Sequence, residues 1–202
     1  MKVLIIAMGD STTAGTPGWM SPREAPPNGR GDETSQYPYW LMKAHPHWDV
    51  RNMGVNGERG DQILERFEQD VTRHTPAVVV IVAGVNDVYQ GRPVSHAISQ
   101  LKAMYDRARD AGIRVVAGSI IPFNTASFAQ NAAMRTINDW IGEHVAGDPN
   151  ARFVDTRAAV AAPDDPDRLS SSPDGLHPDA EGYRKMADAI GPAITAVLAG
   201  LP

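Results

Sequence analysis

A serine near the start of the chain and a histidine near its end supply the side chains of a covalent acyl-transfer site. Ser11 lies in Gly9-Asp10-Ser11, and His177 ends the run Asp174-Gly175-Leu176-His177. A serine hydroxyl can attack an ester carbonyl and form an acyl intermediate when an imidazole takes its proton. A carboxylate orients that imidazole. The spacing of three lets Asp174 bind His177 Nδ1, which leaves Nε2 free to take the Ser11 proton.

Two fragments between these ends carry groups that suit a developing negative charge. They are Asn52-Met53-Gly54-Val55-Asn56-Gly57 and Gly84-Val85-Asn86-Asp87. The backbone N–H of Gly57 and the side-chain amide of Asn86 are candidate donors to the oxyanion of a substrate carbonyl. Asn86 follows the most strongly predicted strand, so we expect it at the carboxyl edge of a sheet.

Each fragment taken alone also has a plainer interpretation. Ser11, between a strand and a helix, suits a helix cap. Asp174 and His177 suit a turn before the last helix, and the glycines and Asn86 suit turns after strands. A phosphate-binding loop is disfavoured because its Gly-Lys-Ser/Thr ending is missing. Asp10 and Asp87 are interpreted as structural acids that bind N–H groups of loops or turns.

The segments that must position these residues alternate between strand and helix patterns. Ala77–Ala83 is continuous, β-branched and without polar alternation, which is typical of a strand buried on both faces. Five such runs predict a parallel sheet covered by helices on both sides, a three-layer α/β/α fold. The predicted strands are Lys2–Met8, Trp48–Asn52, Ala77–Ala83, Ile113–Ser119 and Arg152–Val154.

Apolar residues recur at helical spacing in the connecting segments. Two further segments, Thr16–Ser35 and Ala159–Pro173, fit neither pattern, and we expect them at the carboxyl edge of the sheet beside the site. Together with Pro122–Gln130 they are predicted to shape the substrate pocket, with Trp19 and Phe123 as candidate walls. The predicted helices are Tyr37–Ala44, Gly60–Thr75, Pro93–Ala111, Ala129–Val145 and Asp179–Leu198.

Length and composition fit one globular domain over residues 1–202. The chain is 42% hydrophobic with a net charge of −5, and its Lys and Arg residues are scattered, so no nucleic-acid partner is expected. There are no cysteines, which excludes disulfides and thiolate metal sites. Met1–Met8 is too short for a signal peptide, and no apolar run is long enough for a transmembrane segment. We expect a soluble protein, cytoplasmic or exported after loss of a leader; the sequence leaves its oligomeric state open.

In this order the four fragments resemble the conserved blocks of the SGNH hydrolases, the GDSL-type esterase and lipase superfamily. The resemblance implies a flavodoxin-like sheet of about five parallel strands. It implies Ser11 as nucleophile, His177 as base and then acid, and Asp174 as orienter, without metal or cofactor. It also implies an oxyanion hole of the Ser11 N–H, the Gly57 N–H and the Asn86 amide. The residue after the serine is Thr12, where this superfamily often has leucine.

These observations favour a serine esterase that acts on small or medium acyl esters. A carbohydrate O-deacetylase or an acyltransferase on the same scaffold is the second hypothesis, because the acyl-enzyme does not dictate what attacks it. A non-catalytic binding module is the third. It is disfavoured because Ser11, Asn86 and His177 are all present.

Overall fold

The computed structural model describes residues 2–199 and is built on a five-stranded parallel sheet with the order β4-β1-β5-β6-β7. This order, with the second strand of the sheet outside the first, is that of flavodoxin-like folds. The remaining strands form two short antiparallel ribbons, β2-β3 and β8-β9. In chain order the strands are β1 (Val3–Gly9), β2 (Trp19–Met20), β3 (Arg30–Gly31), β4 (Trp48–Gly54), β5 (Val78–Val82), β6 (Arg114–Gly118), β7 (Ala151–Val154), β8 (Ala161–Ala162) and β9 (Asp165–Leu169).

Helices follow the sheet strands, and three of them are single turns placed directly after a strand. Two 3-10 turns, Glu33–Ser35 and Thr72–His74, complete the regular structure of the described residues. The α-helices are α1 (Ser11–Ala14), α2 (Tyr37–Ala44), α3 (Gly60–Glu65), α4 (Phe67–Asp70), α5 (Val85–Tyr89), α6 (Val94–Asp110), α7 (Phe128–Val145), α8 (Thr156–Val160) and α9 (Ala180–Ala199).

The sheet separates two apolar cores, because alternate residues of each strand point to opposite faces. Ile6 and Met8 of β1 pack with residues of α3, α4, α6 and α7. Ile5 and Ala7 of the same strand pack with residues of α2, α8 and α9. The predicted three-layer α/β/α fold is therefore confirmed, and the carboxyl ends of the strands form one edge.

The predicted helix over Gly60–Thr75 is wrong in one respect, since the segment divides into α3, α4 and a 3-10 turn. The first break falls at Arg66, whose φ of −91° and ψ of 1° leave the helical region. Its guanidinium is buried and binds the carbonyls of Gly9 and Met53 at the strand ends. A regular apolar spacing could not reveal this, because the partners of Arg66 are distant in sequence.

The two segments outside the alternation each contain a ribbon. Thr16–Ser35 carries β2 and β3, and its Trp19 is buried, with the ring lying close against Gly29. Ala159–Pro173 carries β8 and β9. Across residues 2–199, no helix combines the length and hydropathy that a membrane span requires.

Candidate active site

Ser11 is the first residue of α1, immediately beyond β1. The helix cap is the preceding residue, Asp10, whose Oδ1 accepts a hydrogen bond from Thr12 N–H at 2.9 Å. The Ser11 hydroxyl is therefore not used as the cap. Gly54 allows β4 to pass close to this turn, since a Cβ there would lie 2.1 Å from the Ala14 nitrogen. The sequence thus builds a tight strand-to-helix turn that presents Ser11 at the sheet edge.

His177 joins Ser11 to Asp174 across 166 residues of chain. Its Nε2 lies 2.8 Å from Ser11 Oγ, and its Nδ1 lies 2.7 Å from Asp174 Oδ2. Burial disfavours the charged Asp174 carboxylate, but hydrogen bonds from the His177 ring and from the Leu176 and His177 N–H groups outweigh it. The pKa of Asp174 is therefore held below its ordinary value, and the carboxylate stays ionised beside the imidazole.

The turn that carries Asp174 and His177 is held by the Ser172 side chain, which the sequence did not single out, and by a backbone hydrogen bond. Ser172 Oγ accepts from Gly175 N–H at 2.8 Å and donates to His177 O at 2.6 Å. The Gly175 carbonyl accepts from Asn124 N–H at 2.7 Å. Ser172 stands in the run Ser170–Ser172, and nothing in the sequence distinguishes it from its neighbours.

The three candidate oxyanion groups, Ser11, Gly57 and Asn86, all retain N–H donors. Asn86 Nδ2 donates one hydrogen to Glu58 O at 2.9 Å, and an amide nitrogen carries two. The backbone N–H groups of Ser11 and Gly57 make no hydrogen bond to any other residue between 2 and 199. Gly57 has a φ of +79°, a left-handed conformation that favours glycine. These candidate donors are therefore not used by the hydrogen bonds of the fold.

The loop around Gly57 is tied down at both ends. Val55 N–H donates to Gly9 O at 3.2 Å, and Gly60 N–H donates to Asp87 Oδ2 at 2.8 Å. Asp87 is fully buried, and this burial raises its pKa above the ordinary value. Burial likewise raises the pKa of Asp10 to about 7. Both acids bind N–H groups of neighbouring turns, in agreement with their interpretation as structural residues.

A cavity of about 120 Å³ opens beside Ser11 and His177. Of the three segments expected to shape it, only Pro122–Gln130 contributes, through Phe123; Trp19 packs elsewhere. Neither Gly57 nor Asp174 lines the cavity. The lining residues are Ser11, Thr12, Asn56, Val85, Asn86, Tyr89, Phe123, Leu176 and His177.

A larger groove of about 600 Å³ lies between α7 and α8 and shares no lining residue with the Ser11 cavity. It contains Phe153 and Arg157, without a serine or histidine. Within the described part of the chain, no three His, Cys, Asp or Glu residues gather to bind a metal. The remaining histidines lie outside the Ser11 cavity: His45, His47, His74, His96 and His144.

Comparison with known proteins agrees with this fold. Residues 7–185 match the model of the GDSL-like lipase/acylhydrolase family. An acetylxylan esterase from Geobacillus stearothermophilus is 28% identical over 74% of this chain and 74% of its own length. An arylesterase from Vibrio mimicus is 30% identical over 55% of this chain and 52% of its own. A crystal structure of a GDSL-like lipase from Bacteroides thetaiotaomicron superposes with a TM-score of 0.74 at 22% identity, covering 98% of this chain and 89% of the other.

The family match, with which the esterase relatives agree, defines a carboxylic ester hydrolase, and the fold is of the α/β/α class. Since the family model spans most of the sequence, the chain belongs to the GDSL-like lipase/acylhydrolase family, within the SGNH hydrolase superfamily.

Proposed function

We propose that the protein is a serine esterase that cleaves esters of small acyl groups through an acyl-enzyme. Ser11 is the nucleophile, His177 the general base and then acid, and Asp174 the residue that orients the imidazole. The contact of 2.8 Å between His177 Nε2 and Ser11 Oγ carries this proposal. The 202 residues act as one catalytic domain.

The proposed reaction has two steps, acylation of Ser11 and hydrolysis of the acyl-enzyme, and each passes through a tetrahedral intermediate. His177 Nε2 takes the Ser11 proton as Oγ bonds to the ester carbonyl carbon, and the alcohol leaves with that proton. Water then attacks the acyl-enzyme, His177 takes a proton from it, and Ser11 Oγ recovers this proton as the acid leaves. Each tetrahedral oxyanion receives hydrogen bonds from the Ser11 N–H, the Gly57 N–H and the Asn86 amide. The unused donors described above support this assignment.

The size of the cavity supports a short acyl group. A space of about 120 Å³ suits an acyl chain of a few carbons, and Phe123, which is almost fully buried, forms part of its wall. Val85 and Leu176 supply further apolar wall. We therefore expect acetyl to butyryl esters to be preferred over esters of long fatty acids.

A carbohydrate O-deacetylase is the second candidate, and one feature of the cavity rim favours it. Tyr89 is 53% exposed, and its ring is set edge-on to Phe123 with 5.6 Å between the centroids. An exposed aromatic ring beside an acyl cavity suits the apolar face of a sugar. The relative from G. stearothermophilus is an acetylxylan esterase, which agrees with this candidate.

The experiment compares wild type with Ser11→Ala on p-nitrophenyl acetate, butyrate and octanoate and on acetylated xylan. We expect wild type to favour acetate and butyrate, and Ser11→Ala to lose turnover while keeping its circular dichroism spectrum. A serine-directed phosphonate should add mass at Ser11 in wild type alone. Full turnover by a clean Ser11→Ala preparation would refute the nucleophile assignment, and no acetate release from xylan would remove the second candidate.

A further inference from the structure

A buried arginine lies directly beneath the loop that carries the proposed oxyanion donors. Arg66, between α3 and α4, is only 8% exposed. Its Nη2 donates to Gly9 O at 2.9 Å, and its Nη1 donates to Met53 O at 2.7 Å. These carbonyls belong to the carboxyl ends of β1 and β4, the strands that lead to Ser11 and to Gly57. One guanidinium therefore holds together the two strand ends on which the site is built.

The remaining N–H of the guanidinium side chain, at Nε, binds the loop that contains Gly57. Arg66 Nε donates to Glu58 Oε2 at 2.6 Å, and the backbone carbonyl of Glu58 accepts the Asn86 amide hydrogen at 2.9 Å. Glu58 also directly follows Gly57. Asp70 Oδ2, which pairs with Arg23 as well, accepts from Arg66 Nη1 at 2.8 Å and adds a second balancing charge.

We propose that Arg66, acting through Glu58, is a positioning residue that fixes the Gly57 N–H and the Asn86 amide relative to Ser11. The inference rests on the proposed function, because it concerns the placement of oxyanion donors. Arg66 does not line the cavity and touches no reacting atom. Its effect is to keep donors that come from two separate loops in one arrangement.

Arginine is suited to this task for a geometric reason. Its planar guanidinium holds five N–H donors in fixed directions, so it can bind two carbonyls and two carboxylates at once. Lysine keeps the charge but offers one nitrogen on a flexible stem. A misplacement of about 1 Å at a reacting centre costs on the order of a hundredfold in rate. Arg66→Lys should therefore lose activity although its charge is unchanged.

A second buried arginine provides a matched control. Arg157 is also 8% exposed, and its Nη2 donates to Asn131 Oδ1 at 2.9 Å and to Asp167 Oδ1 at 2.7 Å. It lies beside the larger groove and does not contact the Ser11 cavity. Arg157→Lys therefore disturbs a comparable buried arginine without disturbing the oxyanion loop.

The test measures kcat, KM and the urea unfolding midpoint of both variants on p-nitrophenyl acetate. We expect Arg66→Lys to lower kcat by about 10- to 100-fold with KM within about twofold, because oxyanion contacts strengthen in the transition state. Arg157→Lys should keep kcat within about twofold of wild type. Unchanged kcat in folded Arg66→Lys, a change confined to KM, or an equal kcat loss in Arg157→Lys would overturn the inference.

A double-mutant cycle separates positioning from general stabilisation. In the Asn86→Ala background one of the two positioned donors and its bond to Glu58 are already lost, so Arg66→Lys should lower kcat by a clearly smaller factor than it does in the wild-type background. Additive losses would mean that Arg66 does not position the Asn86 amide and would overturn the inference for that donor. Should Arg66→Lys fail to fold, Glu58→Ala decides instead: we expect about a tenfold lower kcat, largely restored by Glu58→Gln, which keeps an acceptor for Nε–H. An unchanged kcat in Glu58→Ala would reject the inference.

The wild-type enzyme distinguishes this inference from the proposed function. If wild type neither hydrolyses the esters nor is labelled at Ser11, the proposed function itself fails. If wild type is active and labelled but Arg66→Lys and Glu58→Ala keep full kcat, only the positioning role fails.

Discussion

Two serines lie at the same edge of the sheet, each just beyond the end of a strand, and their surroundings differ. Ser11 follows β1 by two residues, and Ser119 follows β6 directly. Both are almost fully buried, with exposures of 4% and 1%. Position at the carboxyl end of a strand and burial are thus common to both.

The hydrogen bonds of the two hydroxyls separate them. Ser119 Oγ donates to Asp155 Oδ1 at 3.0 Å, accepts from Arg157 N–H at 2.8 Å and lies 3.3 Å from Thr156 Oγ1. It fastens β6 to the start of α8. Ser11 Oγ instead meets a histidine nitrogen, and the backbone N–H of Ser11 makes no hydrogen bond to another described residue. A serine suited to catalysis is therefore marked by an imidazole and by unused donors, and a structural serine by satisfied bonds.

Alanine at each serine tests this comparison with the largest expected effect. Ser11→Ala should lower kcat by about 10⁴-fold or more, because the covalent route is lost. Ser119→Ala should keep kcat within about twofold but lower the free energy of unfolding by about 1–3 kcal/mol, since Arg157 N–H loses its buried acceptor. Ester hydrolysis and urea unfolding of the two variants measure both quantities. Equal activity losses would contradict the distinction.

The acid beside Ser11 predicts a pH effect on stability. Asp10 Oδ2 is buried and has no hydrogen-bond partner among the described residues, and burial raises its pKa to about 7. The folded state therefore holds the Asp10 proton more tightly than the unfolded state, whose pKa is near 3.8. The stability that this group contributes is fully present below pH 4 and is lost as the pH rises through 7.

Asp10→Asn removes this titration while keeping an oxygen that can accept from Thr12 N–H. The difference in unfolding free energy, variant minus wild type, should rise by on the order of 4 kcal/mol from pH 4 to pH 8. This corresponds to about a thousandfold in the ratio of their unfolding equilibrium constants. Urea unfolding at the two pH values measures the change. A variant that is less stable than wild type at pH 8 would show that the Asp10 carboxylate is favourably ionised in the fold.

Two asparagines near these serines sharpen the comparison further. Asn86→Ala should lower kcat by about 100- to 1000-fold at nearly constant KM, because it removes one of the proposed oxyanion donors. Asn138 binds both backbone groups of Ile120, accepting at 2.7 Å and donating at 3.0 Å, and does not line the Ser11 cavity. Asn138→Ala should therefore lower the urea midpoint and leave kcat within about twofold. Steady-state kinetics at saturating ester distinguish the two outcomes.

Substitution of two phenylalanines has the smallest expected effect. It tests which of the two cavities binds the acyl group. Phe123→Leu should deepen the Ser11 cavity and raise the ratio of kcat/KM for hexanoate over acetate by about tenfold. Phe153→Leu, in the larger groove, should leave this ratio unchanged. Rates on a p-nitrophenyl ester series provide the measurement. If the ratio changes in Phe153→Leu and not in Phe123→Leu, the acyl group binds in the larger groove and not in the Ser11 cavity.

Much of the fold follows from short-range patterns in the sequence. The unbroken apolar run at Ala77–Ala83 predicts β5 within one residue at each end, and the predicted helix Tyr37–Ala44 coincides with α2. The four motif blocks predict that Ser11, Asn86 and His177 meet, and the structure brings them into one cavity. The roles of these residues, and of Gly57 and Asp174, stay predictions until the variants are measured.

What the sequence does not reveal depends on contacts between distant segments. Arg66 interrupts a predicted helix because its partners lie at Gly9 and Met53, and no local pattern records them. Tyr89 and Leu176 line the cavity in place of the long segments Thr16–Ser35 and Ala159–Pro173, since those segments close into ribbons of their own. The spacing of apolar residues identifies helices and strands. It does not reveal which side chains come into contact where the ends of those helices and strands lie close together.

The hydroxyl and the imidazole that meet at the sheet edge are encoded 166 residues apart. A chain synthesised only as far as α8 contains Ser11 but not His177, its proposed proton acceptor. We therefore expect no esterase activity from a chain that ends before His177. For the same reason, the time at which esterase activity appears during refolding should report when the turn before α9 docks beside Ser11. Spectroscopic signals would instead report the formation of the sheet.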